Sequence, residues 1–409
     1  MLQERQISSR RAIREARHGR EGRRRSDKGA RLARATQHPD PDSLPERLAA
    51  LPGIDRVREA AAGLPAYLVG GAVRDLLLGR DRADIDVAVE GDVGELARRL
   101  GGEVRAYPRF ATASARVDGL QVDLAAARTE TYPRPGALPE VRPALSLAED
   151  LARRDFTINA MAVPLGGEPL LIDPHAGLDD LRAGLLRVLH PASFADDPTR
   201  ALRAARYAAR YGFSLEPDTE RLLRAADLST VSSDRVEAEL RKAATEAAPR
   251  SAFGLAADWG LLDLEPGRGE LIERATEVVR AGEWADVAPR ADVVLAAALG
   301  EGLAEAHELA GASPARASEA VELARGRSGV ALALARALGA DWLDRYVAEW
   351  RHVRLEIDGR DLLAEDVEEG PAVGRGLAAA LRAKLDGEVS DRAGELGVAL
   401  AAARENGGG

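Results

Sequence analysis

Residues 68–90 read LVGGAVRDLLLGRDRADIDVAVE. The pattern is a buried strand, a Gly70–Gly71 turn, a short helix, and a second strand carrying Asp84 and Asp86. Two carboxylates separated by one strand residue share a face of the sheet. Like charges at that spacing are costly unless a cation neutralises them. A Gly-Gly turn at a helix start exposes backbone N–H groups where phosphate binds well, and the missing Cβ atoms allow close approach. The residues therefore suggest a site that holds a nucleoside triphosphate on Mg²⁺ for nucleotidyl transfer. Taken singly, each motif is equally an ordinary Gly turn or a solvated acidic pair. What lies downstream decides between these readings.

Asp123, in VDLAAAR, has the strand context for a third, supporting carboxylate. Carboxylates are hard oxygen ligands suited to Mg²⁺, which binds through one or two of them plus substrate phosphates. Arg74 follows the glycines on the first helical turn, placed to donate to phosphate, while Asp75 reads as local structure. In residues 153–162, RRDFTINAMA, Asp155 is a candidate acceptor for a ribose 2′-OH. Arg154 would contact phosphate or hold Asp155, and Asn159 lies four residues on as support. In residues 195–213, ADDPTRALRAARYAARYGF, Asp197 and Arg200 are i and i+3 at the start of a helix. An Asp acceptor beside an Arg donor can read the edge of C or A and reject G and U, which present an oxygen where the Asp needs a donor. Arg203, Arg206 and Arg210 continue this helix toward phosphate or base, and Tyr207 and Tyr211 read as core. Residues 232–240, SSDRVEAEL, place Arg235 and Glu239 at i and i+4 on a further helix.

GGAVRD followed by DIDVAVEGD, then RRDFTINAMA, DDPTR and SSDRVEAEL in that order, resembles the class II tRNA nucleotidyltransferases, the family of CCA-adding enzymes and bacterial poly(A) polymerases. The resemblance runs from about residue 64 to about 240, and more weakly through IDGRDLL (357–363) and GPAVGRG (370–376). It implies an α/β head with a mixed sheet of the DNA polymerase β type, followed by an all-α neck, body and tail. It makes Asp84 and Asp86 the catalytic metal ligands, Mg²⁺ the cofactor, and Gly70, Gly71, Arg74, Arg154, Asp155, Asp197, Arg200 and Arg203 nucleotide-binding. RRD becomes the ribose-recognition motif, and Asp197 with Arg200 the amino-acid template for base choice. The family's EDxxR is DDPTR here, which leaves the two reading residues intact. Arg235 and Glu239 would brace the template helix, with Asp123 and Asn159 also in support. In this family the interval 128–143, RTETYPRPGALPEVRP, holds a loop needed for switching from C to A addition. It looks full length, which argues against a CC-only enzyme. The implied partners are a tRNA 3′ end, CTP and ATP. The implied reaction is CCA addition, with A-only addition, poly(A) synthesis, or a non-catalytic tRNA-binding protein as alternatives.

The bulk properties bound this reading. The 409 residues suffice for two or more domains. No apolar run reaches membrane-span length and no apolar signal core opens the chain, so the expected compartment is the cytoplasm, without membrane contact. No cysteine is present, which excludes disulfides and thiolate metal sites. None of the six histidines precedes an aspartate, so an added His-Asp phosphohydrolase is not expected. The net charge of −10 is uneven: residues 1–36 hold twelve Lys+Arg against four Asp+Glu. That basic arm is either an RNA contact or a solvated extension. The expected organisation is an arm and linker over 1–45, head 46–175, helical neck 176–250, helical body 251–350 and helical tail 351–409.

Overall fold

The computed structural model describes residues 39–80, 84–101, 104–107, 111–280 and 282–405. The basic arm of residues 1–36 lies outside the described residues. Residues 39–45, read from sequence as linker, carry regular structure. The Asp40 carboxylate accepts from the Asp42 N–H and caps a turn at Pro41–Ser43. This feeds α1 (Leu44–Ala49), whose Leu44 and Leu48 are 1% exposed. Residues 39–45 thus belong to the folded part rather than to a linker.

Two compact units follow. One comprises the chain up to Glu239 together with Leu255–Asp263; the other comprises Leu240–Gly254 and Leu264 onward. The first unit is built on a six-stranded mixed sheet in the order β3-β4-β5-β2-β1-β8. Its strands are β1 (Ala66–Val69), β2 (Asp84–Val89), β3 (Val104–Tyr107), β4 (Thr112–Val117), β5 (Leu120–Ala126) and β8 (Ala162–Pro164). α2 (Ile54–Ala60) precedes β1, α3 (Gly71–Leu77) follows it, and α4 (Val93–Leu100) follows β2. α4 is capped by the Asp92 carboxylate on Gly94 N–H, and Gly101 ends it at φ +62°. β2 and β5 are parallel, with Asp86 opposite Asp123, and the remaining neighbours are antiparallel. β1 and the Val87–Val89 end of β2 carry continuous apolar side chains because they lie centrally, and Leu68 on β1, Ile85 on β2 and Val122 and Leu124 on β5 are at most 2% exposed.

Outside the main sheet, β6 (Arg128–Thr131) and β7 (Glu140–Pro143) form a separate hairpin. α5 (Leu147–Ala152) leads into a single 3₁₀ turn at Thr157–Asn159. After β8 the chain is mainly helical: α6 (Gly177–Ala183), α7 (Ser193–Asp196), α8 (Thr199–Tyr211), α9 (Pro217–Leu223), α10 (Ser233–Ala244) and α11 (Pro249–Asp258). Two short strands, β9 (Leu185–Leu186) and β10 (Ser214–Leu215), pair in parallel. α8 ends where Gly212 takes φ +72°, and its inner face is Ala201, Leu202, Ala204, Ala205, Tyr207 and Ala208.

The second unit is all-helical from α12 (Arg268–Val278) through α20 (Arg392–Arg404). Within it, α13 (Arg290–Leu299) and α16 (Gly329–Leu338) are Ala-rich, and both bury most of their length. Near the C-terminus, Ile357, Leu362, Val367, Ala380, Ala399 and Ala403 form one apolar cluster. Beside it Glu395 is fully buried, paired with Lys384 Nζ at 2.6 Å and accepting from Glu356 N–H at 2.7 Å. No described helix is long and apolar enough to cross a membrane.

Truncating Leu124 to Ala in the sheet core should lower unfolding free energy by about 2–5 kcal/mol. The same change at Leu138, which is 72% exposed, should stay within about 0.5 kcal/mol. Urea melts of the two variants would test where the core lies.

Candidate active site

An open cleft of about 430 Å³ lies on the face of the central strands of the head sheet. Its lining includes Asp86, Asp123, Thr112 and Ser114 from the sheet strands together with Arg128, Asp150, Arg153 and Arg154. The parallel register sets Asp86 and Asp123 directly opposite one another, and both are exposed. Gln121 Nε2 donates to Asp123 Oδ1 at 3.1 Å. Asp84 opens β2 two residues earlier, opposite Gln121 in the register; its side chain lies outside the described residues. Among those, no cluster of three or more His, Asp or Glu stands ready-made to hold a metal. A register-matched pair of exposed carboxylates, with hard oxygen donors only, nevertheless fits a divalent cation of the Mg²⁺ kind, which keeps several waters and takes one or two protein carboxylates.

The cationic side of the cleft is organised by Asp150, a residue the sequence reading did not single out. Asp150 is 1% exposed. Its Oδ1 accepts from Arg153 Nη2 at 2.7 Å and Nε at 3.0 Å, and its Oδ2 accepts from Arg154 Nη2 at 2.8 Å. The Arg128 N–H donates to the same carboxylate at 3.2 Å. Burial works to raise this carboxyl's pKa, but Arg154 and Arg153 hold it below the usual range. One buried anion thus orients two guanidiniums, and the i, i+3, i+4 spacing of Asp150, Arg153 and Arg154 is the signal that could have shown it. Arg154 also explains Gly70. That glycine sits at φ +70°, and a Cβ there would stand 2.6 Å from Arg154 Nη1. Gly71 opens α3. Arg154 Nε is buried without a hydrogen-bond partner, so the group retains donor capacity.

Arg74 is placed differently from its sequence reading. It is 3% exposed, and its guanidinium donates to Asp75 at 2.9 and 3.2 Å and to Asn159 Oδ1. It lies over the Tyr211 and Tyr207 rings at 4.6 and 5.2 Å. Its donors are directed into the interior and not toward an incoming phosphate, because Asp75 follows it immediately and α8 covers it with two aromatic rings. Asp75 in turn accepts from Tyr211 OH at 3.0 Å, consistent with a local structural part.

Asp155 is 6% exposed. Its Oδ1 accepts from the Phe156 N–H and Asn159 Nδ2, both at 2.9 Å, and its Oδ2 lies 2.7 Å from Arg203 Nη2. Asn159 reaches Asp155 from the 3₁₀ turn, not from the α-helical i+4 position considered in the sequence. Burial raises the Asp155 pKa, and Arg203, Asn159 and Arg200 outweigh it, so the carboxyl titrates below its ordinary value. Asp155 raises Arg203 in return.

The Asp197–Arg200 pair stands at the start of α8. Asp197 Oδ1 accepts from Thr199 N–H at 3.0 Å, Thr199 Oγ1 at 2.6 Å and Arg235 Nη2 at 2.9 Å. Its Oδ2 accepts no hydrogen bond among the described residues. Arg200 is 5% exposed and donates from Nη1 to Ser193 Oγ at 2.7 Å and from Nη2 to the Arg153 carbonyl at 2.9 Å. Tyr132, whose ring centroid lies 6.0 Å from the Arg200 guanidinium carbon, donates its OH to Glu130 at 3.1 Å. Burial, opposed by Arg200 and assisted by Glu130, pushes that phenol up to about 12, so it remains a donor at neutral pH. Glu130 also accepts from Arg153 Nη1 at 2.8 Å. Arg235 braces Asp197 directly, whereas Glu239 pairs with Arg206 at 3.4 Å.

Residues 66–187 match the family described as the poly A polymerase head domain. The chain is 37% identical over 340 residues to a CC-adding tRNA nucleotidyltransferase of Deinococcus radiodurans, covering 79% of this chain and 86% of that one. It is 54% identical over 169 residues to an A-adding tRNA nucleotidyltransferase of Aquifex aeolicus, covering 40% of this chain and 20% of that protein. Its fold is similar to that of a Thermotoga maritima CCA-adding enzyme complexed with tRNA, at TM-score 0.64 and 29% identity over 89% of this chain and 96% of that one. The chain therefore belongs to the class II tRNA nucleotidyltransferase and poly(A) polymerase family. It spans about a fifth to a half of the length of the A-adding relatives it matches.

The depressed carboxyls carry a pH prediction. A carboxyl whose folded pKa lies below its unfolded value contributes stability that is complete above the unfolded value and is lost as pH falls through the folded one. Asp150 and Asp155 are both in this position. Urea stability should fall steeply below about pH 4. Asp150→Asn, less stable at neutral pH, should show a shallower fall over that window. An equal slope would mean that Asp150 is not one of the groups responsible.

Proposed function

We propose that this protein adds nucleotides to tRNA 3′ ends from CTP and ATP, without a nucleic-acid template and with release of pyrophosphate, completing CCA. The observation that carries the reading is the cleft itself, with paired carboxylates on β2 and β5 facing guanidiniums held by one buried aspartate.

Asp84 and Asp86 would hold Mg²⁺, with Asp123 in support. A divalent cation bound there supplies charge neutralisation of the triphosphate and activation of the attacking 3′-OH. The chain's own residues do the rest. Arg154, held by Asp150 and packed against Gly70, would donate to phosphate. Asp155 is kept ionised by Arg203 and Asn159, and would accept the ribose 2′-OH as one more donor, which a deoxyribose cannot supply. Asp197 Oδ2 accepts from the exocyclic amine of C or A, while Arg200 donates to a ring nitrogen. Arg203 fixes Asp155 from the same helix that carries Arg200, so ribose and base are read from one rigid element.

A second reading, addition of the terminal A alone, is favoured by the high identity of the head to the A-adding Aquifex relative. The expected compartment remains the cytoplasm, where tRNA ends are matured.

Two substitutions test the assignment. Asp86→Asn should reduce incorporation by at least roughly 10–100-fold, the cost of disturbing even the outer shell of a metal site, with tRNA binding retained in a filter assay; near-normal turnover would remove Asp86 from the metal site. Asp155→Ala should raise dATP use relative to ATP; unchanged discrimination would mean that the ribose is read elsewhere.

A further inference from the structure

The strand that carries Asp86 ends at a carboxylate that reaches across to another element. Glu90 follows Val89 directly and is half-buried, and its N–H donates to the Pro65 carbonyl at 2.9 Å, next to β1. Its side-chain Oε1 accepts from the N–H of Leu147, the first residue of α5. Oε2 accepts from the hydroxyl of Tyr67 on β1 at 3.3 Å. Burial and the adjacent carboxylate raise that phenol's pKa, so it stays a donor at neutral pH. Ser146, in the usual capping place, makes no side-chain bond to the helix. The cap on α5 therefore comes from 57 residues earlier in the chain.

Elsewhere α5 rests on the sheet through apolar contact. Leu147 and Leu151 pack in one cluster with Val69, Ala88, Ala160 and Ala162. Apolar contact is non-directional, so it presses the helix onto the sheet without fixing its place along its own axis. A hydrogen bond to a carboxylate is short and directional, and sets that place. Asp150 stands three residues into α5, and it holds Arg153 and Arg154. A slip of one residue along the axis would carry Asp150 and both guanidiniums by about 1.5 Å. We propose that Glu90 is a positioning residue that sets the spacing between Asp86 on β2 and the Arg154 guanidinium, and so the fit of the cleft to a triphosphate that spans the two. This role rests on the reading that the cleft holds a nucleoside triphosphate.

The test uses the full chain with inorganic tripolyphosphate and Mg²⁺ as the probe, and reads the dissociation constant by calorimetry. Glu90→Ala, Glu90→Asp, Glu90→Gln, Arg154→Ala and the Glu90→Ala/Arg154→Ala double variant are compared, each with a thermal melt. Glutamine keeps an acceptor oxygen at the same reach, whereas aspartate keeps the charge and falls one methylene short. We expect Glu90→Ala and Glu90→Asp each to weaken binding about tenfold, as misplacing an Arg clamp does, and Glu90→Gln to bind like the parent. In the Arg154→Ala background, Glu90→Ala should add nothing, as coupled neighbours behave. Glu90→Asp decides alone if the alanine variant does not fold. Lower melting temperatures with an unchanged dissociation constant would make Glu90 a purely structural carboxylate, overturning the positioning role and leaving the phosphate site intact. Equal weakening by Gln and Ala overturns it as well, because the charge and not the bond would then be responsible. Additive effects in the double variant overturn the route through Arg154. Binding unchanged by Arg154→Ala removes the phosphate assignment and the positioning role with it.

Discussion

A carboxylate at Asp155, 6% exposed, cannot remain ionised without a partner, and the partner it has is Arg203 on α8. That one ion pair fixes how α8 meets the RRD turn after α5. From it a closed polar chain continues: Asp155 to Asn159, Asn159 to Arg74, Arg74 to Asp75, and Asp75 to Tyr211 back on α8. Each buried donor or acceptor in this chain would be expensive alone, and together they leave α8 one orientation. Asp155, Asp197 and Arg200 are all placed relative to that helix.

The cleft divides its charges by layer. Carboxylates stand on the strands, guanidiniums on the segment after α5, and Asp150 lies behind the guanidiniums as a buried counter-charge. Asp150 holds Arg153 and Arg154 without filling all their donors, so the cations are positioned before any ligand arrives. Pre-set donors of this kind need no rearrangement when charge is brought to them. The arrangement also reconciles an acidic chain with the polyanionic substrate proposed for it, because local placement decides the field in a cleft and the net charge of −10 does not.

The sequence disclosed the elements whose residues carry their own periodicity or punctuation. The strand, turn, helix and second strand read over 68–90 stand as β1, Gly70–Gly71, α3 and β2, whereas the pairing of Asp86 with Asp123 comes from the register of the folded sheet. The helical character of everything after the head was equally legible from Ala- and Leu-rich spacing. Contacts between distant segments were not. Nothing local to Arg74 says that two tyrosines more than 130 residues away will cover it. Gly136 reads as an ordinary turn glycine among prolines until Thr230 and Arg235 close around it. Asp150 was hidden because an acidic residue on a short helix ordinarily marks a solvated face. The Pro-rich interval read as a loop is a hairpin, since its strands lack alternation and are held by charge instead.

The measurement that bears most directly on the whole account is nucleotide addition to three tRNA transcripts, ending at the discriminator base, at C and at CC, resolved to single nucleotides with CTP and ATP present. Extension of all three to CCA, with no further growth, is the result predicted. Failure of all three to gain a nucleotide, from a folded protein that binds the tRNA, would contradict the account at its centre.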